Sequence, residues 1–505
     1  MKRTLLSLFC LASASLFAQN VYIPDPDLKN VLISSTGINT NGDGEISYAE
    51  ANAYTGIISA PNLTISDLTG LEAFPNITEV FLPNNNISFA NFTANTALTK
   101  ISIGLNPLTT LDVTGLTSLT RLGSDATYSL ASIDLSTNVN LEVLNLDRNQ
   151  LTSLDVSNNI NLSNFSASFN QLTTIDLSNN TAIENLNLYD NNLSSLDLSN
   201  QTNLTWFSIN SNNLTASSLT LPNTSTVTIA YLSDNPLGSI DVSSFTNLEK
   251  LQVSNANLST IDLSSNTVLE ELEANTNNFT SIDLSSLAQL KSLKLVENDL
   301  TSIDLSNNPV LSQLYVGDNN LTTLDVTNNS NIYHLELQDN LFSSIDVSVL
   351  PSLGTLYVSD NANLQIINMA NANNASIYQF SATNCPNLSC MQLDNGFTPP
   401  ATSPGIQWII DSDKDPNTIY GYTTCTLSTE QNALESFSVY PNPVQDILHI
   451  DAAFMVEKVT VYNTLGKKVA TSSTQTIDVS YLPSGIYFAE ILSQGNRAVK
   501  RIIKK

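Results

Sequence analysis

A repeat of 21 residues runs through the middle of the chain and constrains its fold more than any other feature. Three of its copies, at 183–193, 311–321 and 332–342, read IENLNLYDNNL, LSQLYVGDNNL and IYHLELQDNLF. They share the pattern L-x-x-L-x-L-x-x-N-x-L, which continues as x-x-L-D-L-S, and fifteen units of 21 to 23 residues follow one another. Such a period predicts a solenoid, because stacked units bury a continuous core that no unit forms alone.

The pattern resembles the leucine-rich repeat family, and the resemblance covers residues 65–384. Each L-x-L segment predicts a short strand whose alternate side chains point inward and outward. The predicted fold is α/β by convention but strand-rich. It is a leucine-rich repeat solenoid with parallel β on the concave face, followed by a small C-terminal Ig-like β-sandwich. The resemblance implies that partners bind to the outward side chains of the concave face.

Asparagine accounts for 65 of the 505 residues, and the repeat explains much of this excess. One Asn follows each strand, where its amide can satisfy backbone groups that the turn leaves unpaired. The resemblance implies that this column is an asparagine ladder, in which Cys385 takes the last position. Thr127 and Ala256 interrupt the column, and looser turns are expected there. The ladder is predicted to comprise Asn149, Asn170, Asn191, Asn212, Asn235, Asn277, Asn298, Asn319, Asn340 and Asn361.

One aspartate in nearly every unit forms a second column. Stacked at the spacing of neighbouring strands, these carboxylates lie roughly 5 Å apart. Two interpretations stay open. The carboxylates accept hydrogen bonds from turn N–H groups and Ser or Thr hydroxyl groups on a solvated face, or divalent cations relieve their repulsion. The column comprises Asp112, Asp134, Asp155, Asp176, Asp197, Asp241, Asp262, Asp283, Asp304, Asp325 and Asp346.

The predicted N-terminal cap, residues 19–64, contains the string NTNGDGEISYAE at 39–50, which resembles a single EF-hand calcium loop. Its flanks, 25–35 and 48–54, are predicted to be short helices. The resemblance implies one weakly bound Ca²⁺, because few of the ligands are charged. A metal-free loop that caps the solenoid is the alternative. The implied ligands are Asn39, Asn41, Asp43, the carbonyl of Glu45, and Glu50.

The N-terminal residues 1–18 have the features of a secretory signal peptide: Lys2 and Arg3, an apolar stretch, and the small residue Ala18. The apolar stretch is too short to span a bilayer, and no later segment has 18 consecutive apolar residues. No membrane span is therefore predicted. Export to an oxidising compartment permits disulfides.

The repeat stops near residue 385. Residues 385–425 are predicted to be a C-terminal cap, and residues 426–435 a linker. Three cysteines allow three pairings. The disulfide Cys390–Cys425 is preferred, with Cys385 kept as the ladder thiol.

Residues 436–505 differ in composition, with 8 Lys or Arg against 5 Asp or Glu, whereas residues 19–435 carry 8 against 41. Short alternating runs at 436–440, 447–450, 458–462, 476–480 and 486–492, separated by turn residues, predict the strands of a small β-sandwich. The strings YPNP, VYN with LGK, LPSGIY and a basic end resemble the C-terminal sorting domain of proteins exported by the type IX (Por) secretion system of Bacteroidetes-type bacteria. The resemblance implies contact with that machinery, passage across the outer membrane, and release or attachment to the outer cell surface.

The net charge of −28 argues against nucleic acid as a partner, because phosphate binding needs clustered Lys and Arg. Two histidines leave little room for acid–base chemistry. His334 and Glu336 form an H-x-E string without the P-C-x-x-C partner of zinc deaminases, and outward surface contact is the favoured interpretation. With no phosphate loop, nucleophile elbow or zinc-protease motif, the sequence predicts that the protein is not an enzyme.

Aromatic side chains among Asn and Ser mark the candidate binding surface of the concave face, a mixture that suits sugar rings or a protein hot spot. The sequence therefore predicts a secreted or cell-surface adhesion protein that recognises a protein or a glycan. Two alternatives stay open, namely an extracellular hydrolase or its accessory domain, and a structural component of a surface layer. The candidate residues are Tyr189, Trp206, Ser208, Tyr231 and Asn187.

Overall fold

The computed structural model describes residues 19–397, 407–410, 419–421, 437–452, 456–463, 467–493 and 496–505. The chain divides into two compact units, Met1–Cys425 and Thr426–Lys505. The predicted signal peptide (1–18) and linker (426–435) lie outside the described residues. None of the helices in the described part of the chain has the length and apolar character that crossing a bilayer requires.

Two helices, Pro26–Ser34 and Tyr48–Ala53, form the N-terminal end of the first unit. Asp25 caps the first helix, because its Oδ1 accepts the N–H groups of Asp27 and Leu28 at 3.1 and 3.0 Å. Its other oxygen accepts the N–H of Ser66 at 2.8 Å, which ties the helix to the first repeat unit. The helices therefore cover the open end of the solenoid core.

A parallel sheet of 17 strands runs along the first unit, each strand pairing with the next along the sheet. Its first strand lies inside the predicted cap 19–64 and its last inside the predicted segment 385–425, so the solenoid extends beyond both predicted bounds. The strands are Ile57–Ser59, Glu79–Phe81, Lys100–Ser102, Arg121–Gly123, Val143–Asn145, Asn164–Ser166, Asn185–Asn187, Trp206–Ser208, Ile229–Tyr231, Lys250–Gln252, Glu271–Glu273, Ser292–Lys294, Gln313–Tyr315, His334–Glu336, Thr355–Tyr357, Gln379–Ala382 and Gln407–Ile410.

The middle residue of each three-residue strand points into the core, and the first and third residues point to the concave face. Leu251, Leu272 and Leu293, for example, are at most 1% exposed and lie in register with one another. The core is one continuous cluster from Val21 to Leu393. This continuity is the burial that the 21-residue repeat predicts.

Smaller elements complete the first unit. Two short 3₁₀ helices occur at Leu71–Ala73 and Asn374–Ser376. The remaining strands pair in parallel as Phe89–Asn91 with Thr110–Asp112, Leu196–Asp197 with Leu219–Thr220, and successively Ser344–Asp346, Ile366–Asn368, Cys390–Gln392 and Ile419–Gly421.

The second unit contains two antiparallel sheets around a core of its own, which includes Val444, Leu448, Val459 and Ile502. Short runs of alternating sequence predicted five of its strands. Two strands, Lys468–Ser472 and Asn496–Lys504, were missed. One sheet consists of Phe437–Tyr440, Ile447–Ala452 and Thr476–Asp478, and the other of Lys468–Ser472, Lys458–Asn463, Gly485–Ser493 and Asn496–Lys504.

Candidate binding surface

The predicted ladder asparagines connect successive turns of the solenoid. The Nδ2 of Asn212 donates to the carbonyl of Leu188 in the preceding turn at 3.0 Å, and its Oδ1 accepts the N–H of Leu193 at 2.9 Å. The same Leu188 carbonyl also accepts from Asn191 at 3.2 Å. Each asparagine thereby satisfies backbone groups of two turns. Asn85 and Asn106 bond in the same way, although the sequence interpretation did not include them.

At the two interruptions of this ladder a neighbouring asparagine supplies a hydrogen bond, and the expectation of looser turns there stays a prediction. The hydroxyl of Thr127 bonds to the Oδ1 of Asn149. At the other interruption, the Oδ1 of Asn277 accepts the N–H of Ala256 at 3.1 Å as well as the N–H of Leu258 at 2.9 Å. A neighbouring asparagine therefore replaces part of the missing hydrogen bonding.

The cysteines occupy distinct environments. Cys385 is buried at the end of the ladder, and its Sγ lies 3.3 Å from the carbonyl of Val358, to which Asn361 also donates. Cys390 is disulfide-bonded. Its predicted partner, Cys425, lies outside the described residues, and this pairing stays a prediction.

A second asparagine ladder was not predicted from the sequence. All its members except Asn95 lie four residues after an aspartate of the column. Their Nδ2 or Nε2 groups donate to carbonyls of the preceding turn, as from Asn308 to Leu284 and Leu287 at 3.1 and 2.9 Å. Their oxygens have no hydrogen-bond partner among the described residues. The second ladder comprises Asn95, Asn138, Asn159, Asn180, Gln201, Asn266, Asn308 and Asn329.

The aspartate column accepts hydrogen bonds from the turn that follows each carboxylate. The Oδ1 of Asp262, for example, accepts the N–H of Ser264 at 2.9 Å. Hydrogen bonds of this kind hold the pKa of ten of these carboxyl groups below its usual value, although a neighbouring aspartate opposes the effect in several. This geometry supports the hydrogen-bonded interpretation of the column. The ten are Asp134, Asp155, Asp176, Asp197, Asp241, Asp262, Asp283, Asp304, Asp325 and Asp346.

A different acidic row lies just before the first ladder, where each residue has a positive φ. Asp318 and Asp339, with φ of 53° and 51°, belong to it together with Glu297 and Asp360. Asp318 is exposed, but partial desolvation by neighbouring protein atoms raises the pKa of its carboxyl group, and the charges of Glu297 and Asp360 raise it further. Partial desolvation and the charges of Asp318 and Asp360 likewise raise the pKa of Asp339, which is also exposed. Like charges in this row therefore repel one another.

The predicted calcium loop is held by its own hydrogen bonds. The Oδ1 atoms of Asn39, Asn41 and Asp43 accept the N–H groups of Gly42, Asp43 and Glu45 at 2.9–3.0 Å. Gly44, at the expected sharp turn, has a φ of +78°. The carboxylate of Glu45 lies 2.7 Å from the ammonium of Lys29.

Glu50, the residue expected to bind calcium through both oxygens, uses both in hydrogen bonds. Its Oε1 accepts the N–H of Thr40 at 2.9 Å, and its Oε2 accepts the N–H and hydroxyl of Ser47, each at 2.9 Å. The backbone bond from Ser47 is the largest of several that lower the pKa of Glu50 to about 2. Ser47 in turn caps the helix Tyr48–Ala53, a reciprocal capping box. As arranged, these residues do not fit a calcium ion, whose binding stays a prediction that requires rearrangement of the loop.

The predicted aromatic patch is only partly assembled. Trp206 and Tyr231 lie edge to face on adjacent strands, with ring centroids 6.3 Å apart. Tyr189 packs instead against Phe169 at 4.9 Å. Asn187, Ser208 and Tyr231 are consecutive in strand register. Ser208 is 6% exposed and therefore offers little contact surface, contrary to the expectation for it.

A groove next to this pair was not identified from the sequence, although most of its residues lie in the same outward columns. It encloses about 290 Å³ and extends from Tyr231 to Tyr315. Two ion pairs cross it, Lys250 with Glu271 at 2.8 Å and Lys294 with Glu273 at 3.0 Å. The remaining polar lining residues are Gln252, Ser292 and Gln313.

Beyond the groove, His334 lies between two tyrosines. Its ring centroid is 4.6 Å from that of Tyr315 and 6.2 Å from that of Tyr357, and its Nε2 is 2.8 Å from Glu336 Oε1. Both members of the H-x-E string are therefore engaged within the concave face. In the described part of the chain, no cluster of three or more His, Cys, Asp or Glu side chains suits a metal ion.

Residues 438–505 match the family model described as a secretion system C-terminal sorting domain. This match supports the resemblance found for 436–505, and it indicates export by the type IX secretion system to the cell surface or the extracellular space. A comparison of the whole chain with curated proteins finds no match.

Two solved structures share the fold at low sequence identity. The functional domain of InlJ from Listeria monocytogenes, which includes a cysteine ladder, is 22% identical with a TM-score of 0.63, and the match covers 95% of this chain and 97% of that one. An LRR protein from Leptospira interrogans is 20% identical with a TM-score of 0.53, covering 66% and 88%. The chain therefore combines a solenoid of leucine-rich repeat fold with a C-terminal sorting domain of the type IX secretion system.

Proposed function

We propose that this exported protein works as an adhesion protein, which holds a partner outside the cell on the concave face of its solenoid. The observation that carries the proposal is the Trp206–Tyr231 pair beside the groove. Both rings are half-buried, and they stand on adjacent strands of a regular parallel sheet. Aromatic rings held in this way provide contact area with little conformational entropy to lose, as in binding hot spots.

The surroundings of the pair support binding rather than catalysis. Glu271 and Glu273 lie on one strand, and each is ion-paired with its own lysine. They therefore do not form the two carboxylates on opposite sides of a bond that glycoside hydrolysis uses. Of the two alternatives, the hydrolase gains no support from this arrangement, and no specific observation favours the surface-layer role.

The test uses the full secreted chain, displayed on beads, against intact cells and immobilised polysaccharides. Trp206→Ala combined with Tyr231→Ala is expected to reduce retention at least tenfold, since the aromatic contact area is removed from the concave face. Tyr22→Ala combined with Tyr48→Ala is the matched control, because these tyrosines are 73% and 49% exposed in the N-terminal cap. Equal retention by both double variants would exclude the concave aromatic pair as the contact.

A further inference from the structure

The groove on the concave face has an aromatic wall at each end. Tyr231 and Tyr315 occupy the same outward column four strands apart, which corresponds to about 19 Å at the usual strand spacing. A ligand that touches both walls must therefore be extended and must lie across the strands.

Both walls are fixed before any ligand arrives. Tyr231 packs edge to face with Trp206. Tyr315 lies between the ring of His334 and the ammonium of Lys294, whose Nζ is 5.7 Å from the Tyr315 ring centroid. Side chains held in this way lose little rotamer freedom on binding, so the contact area that they offer is used efficiently.

The floor between the walls is polar but electrically balanced. Lys250 and Lys294 pair with Glu271 and Glu273, which leaves no net charge on the floor. These ion pairs keep an exposed surface, because the four side chains are 30–50% accessible. Amide and hydroxyl groups add further donors and acceptors, and the Gln313 amide is itself oriented by the hydroxyl of Tyr333 at 2.5 Å.

We propose that this groove binds an extended neutral glycan, an inference that rests on the adhesion function proposed above. The C–H faces of sugar rings match the aromatic walls, and their hydroxyl groups match a floor of amides and half-exposed ion pairs. A hydroxyl can replace the water at each charged group, so the ion pairs remain hydrogen-bonded.

Two other ligand classes fit the groove less well. An apolar protein side chain would strip water from the ion pairs without replacing its hydrogen bonds, which is costly. An acidic polysaccharide would gain no attraction from a groove floor without net charge. The excess of 41 acidic over 8 basic residues in 19–435 would repel it. The neutral glycan is the ligand class that neither argument excludes.

The experiment measures calorimetric binding of the full secreted chain to linear neutral hexasaccharides of glucose, mannose and N-acetylglucosamine, and to a hexasaccharide of uronic acid. Wild-type protein is expected to bind at least one neutral hexasaccharide and not the acidic one. Gln252→Ala combined with Gln313→Ala is expected to weaken that binding at least tenfold, because two amides leave the groove floor.

Gln171→Ala is the matched control, since Gln171 is exposed on the turn that follows ladder residue Asn170. Binding that the groove double variant leaves unchanged, or a preference for the uronic acid hexasaccharide, overturns the proposal. If no hexasaccharide binds while cell retention still depends on Trp206 and Tyr231, the glycan inference fails and the adhesion function stands. If no hexasaccharide binds and cell retention does not depend on Trp206 and Tyr231, both proposals are overturned.

Discussion

The Oδ1 of Asn319 accepts the N–H of Leu300, which belongs to the preceding turn, at 3.0 Å. A hydrogen bond of this kind distinguishes the first asparagine ladder, to which Asn319 belongs, from the second ladder. The N–H of Leu300 is buried, whereas two of the three carbonyls to which the Nδ2 of Asn319 donates, those of Leu295 and Val316, also accept from a neighbouring ladder asparagine. In the second ladder, the Oδ1 of Asn308 has no partner among the described residues, and the two carbonyls it serves keep backbone partners.

The two ladders are therefore expected to differ in sensitivity to the same substitution. Asn319→Ala leaves the N–H of Leu300 buried and unpaired, which is expected to lower the free energy of unfolding by on the order of 1–3 kcal/mol. Asn308→Ala instead removes an amide oxygen that has no partner in the described part of the chain, so it is expected to cost less. Hydrogen exchange measured by mass spectrometry is expected to show faster exchange around Leu300 in the first variant. Exchange around Asn308 in the second variant is expected to change less.

The second ladder itself indicates that its positions tolerate the loss of the asparagine. Its column contains Leu116, Phe245, Leu287 and Leu350 at the equivalent positions, each fully buried. Asn308→Leu is therefore the control that fills the space, and it is expected to cost less than Asn308→Ala. Equal protection losses for Asn319→Ala and Asn308→Ala would show that the bond to Leu300 is not the decisive difference.

The acidic row at positive φ predicts a substitution that stabilises the protein. Asp339→Asn removes a charge that partial desolvation and the neighbouring charges of Asp318 and Asp360 disfavour, and Asn adopts a left-handed backbone readily. Because the pKa of Asp339 is raised in the folded state, its charge destabilises the fold at neutral pH, and this penalty is lost as pH falls through that pKa. Urea unfolding is expected to show higher stability for the variant at neutral pH, with the difference shrinking towards pH 3.8.

Asp325→Asn supplies the control of opposite sign. Hydrogen bonds from Thr327 lower the pKa of Asp325, so its charge stabilises the fold above the ordinary carboxyl pKa, and this contribution is lost as pH falls through the lowered value. Its replacement is expected to be neutral or destabilising at neutral pH. If Asp339→Asn also destabilises, repulsion within the acidic row is not the controlling interaction.

The lowered pKa of Glu50 predicts that acid destabilises the N-terminal cap. Its pKa falls from 4.5 to about 2 on folding, so its stabilising contribution is complete above 4.5 and is lost as pH falls to about 2. Glu50→Gln is expected to increase hydrogen exchange in residues 39–50 at neutral pH. Glu45→Gln is the control, because it removes only a partly exposed ion pair, which contributes little.

The same variants test the calcium expectation. Since both oxygens of Glu50 already accept hydrogen bonds, a chelator is expected to leave the exchange of residues 39–50 unchanged. A calcium-dependent decrease in exchange that disappears in Glu50→Gln would show instead that the loop rearranges to bind the ion.

The sequence was sufficient for the solenoid because its burial pattern is local: each L-x-L segment buries its two apolar residues and turns the residue between them outward, and the period repeats this pattern. It was insufficient where a structural feature depends on side chains from several neighbouring repeat units. The second ladder alternates between Asn and apolar residues such as Leu287, so the column shows no single residue type. The groove depends on which side chains, among them Ser292 and Gln313, meet in register. Strand Asn496–Lys504 was missed because its basic residues obscure the alternation.

Two positions on one strand of the sorting domain provide a prediction about export. Ile502 is fully buried in the core of the second unit, whereas Val499 is 57% exposed on the same strand. Ile502→Asp places an unpaired charge in that core and is expected to unfold the domain, so that the protein accumulates in the periplasm as it would without residues 436–505. Val499→Asp is expected to leave export intact. Immunoblots of periplasmic and extracellular fractions measure the distribution, and normal export of the Ile502→Asp variant or of the chain lacking 436–505 would contradict a sorting role for the folded domain.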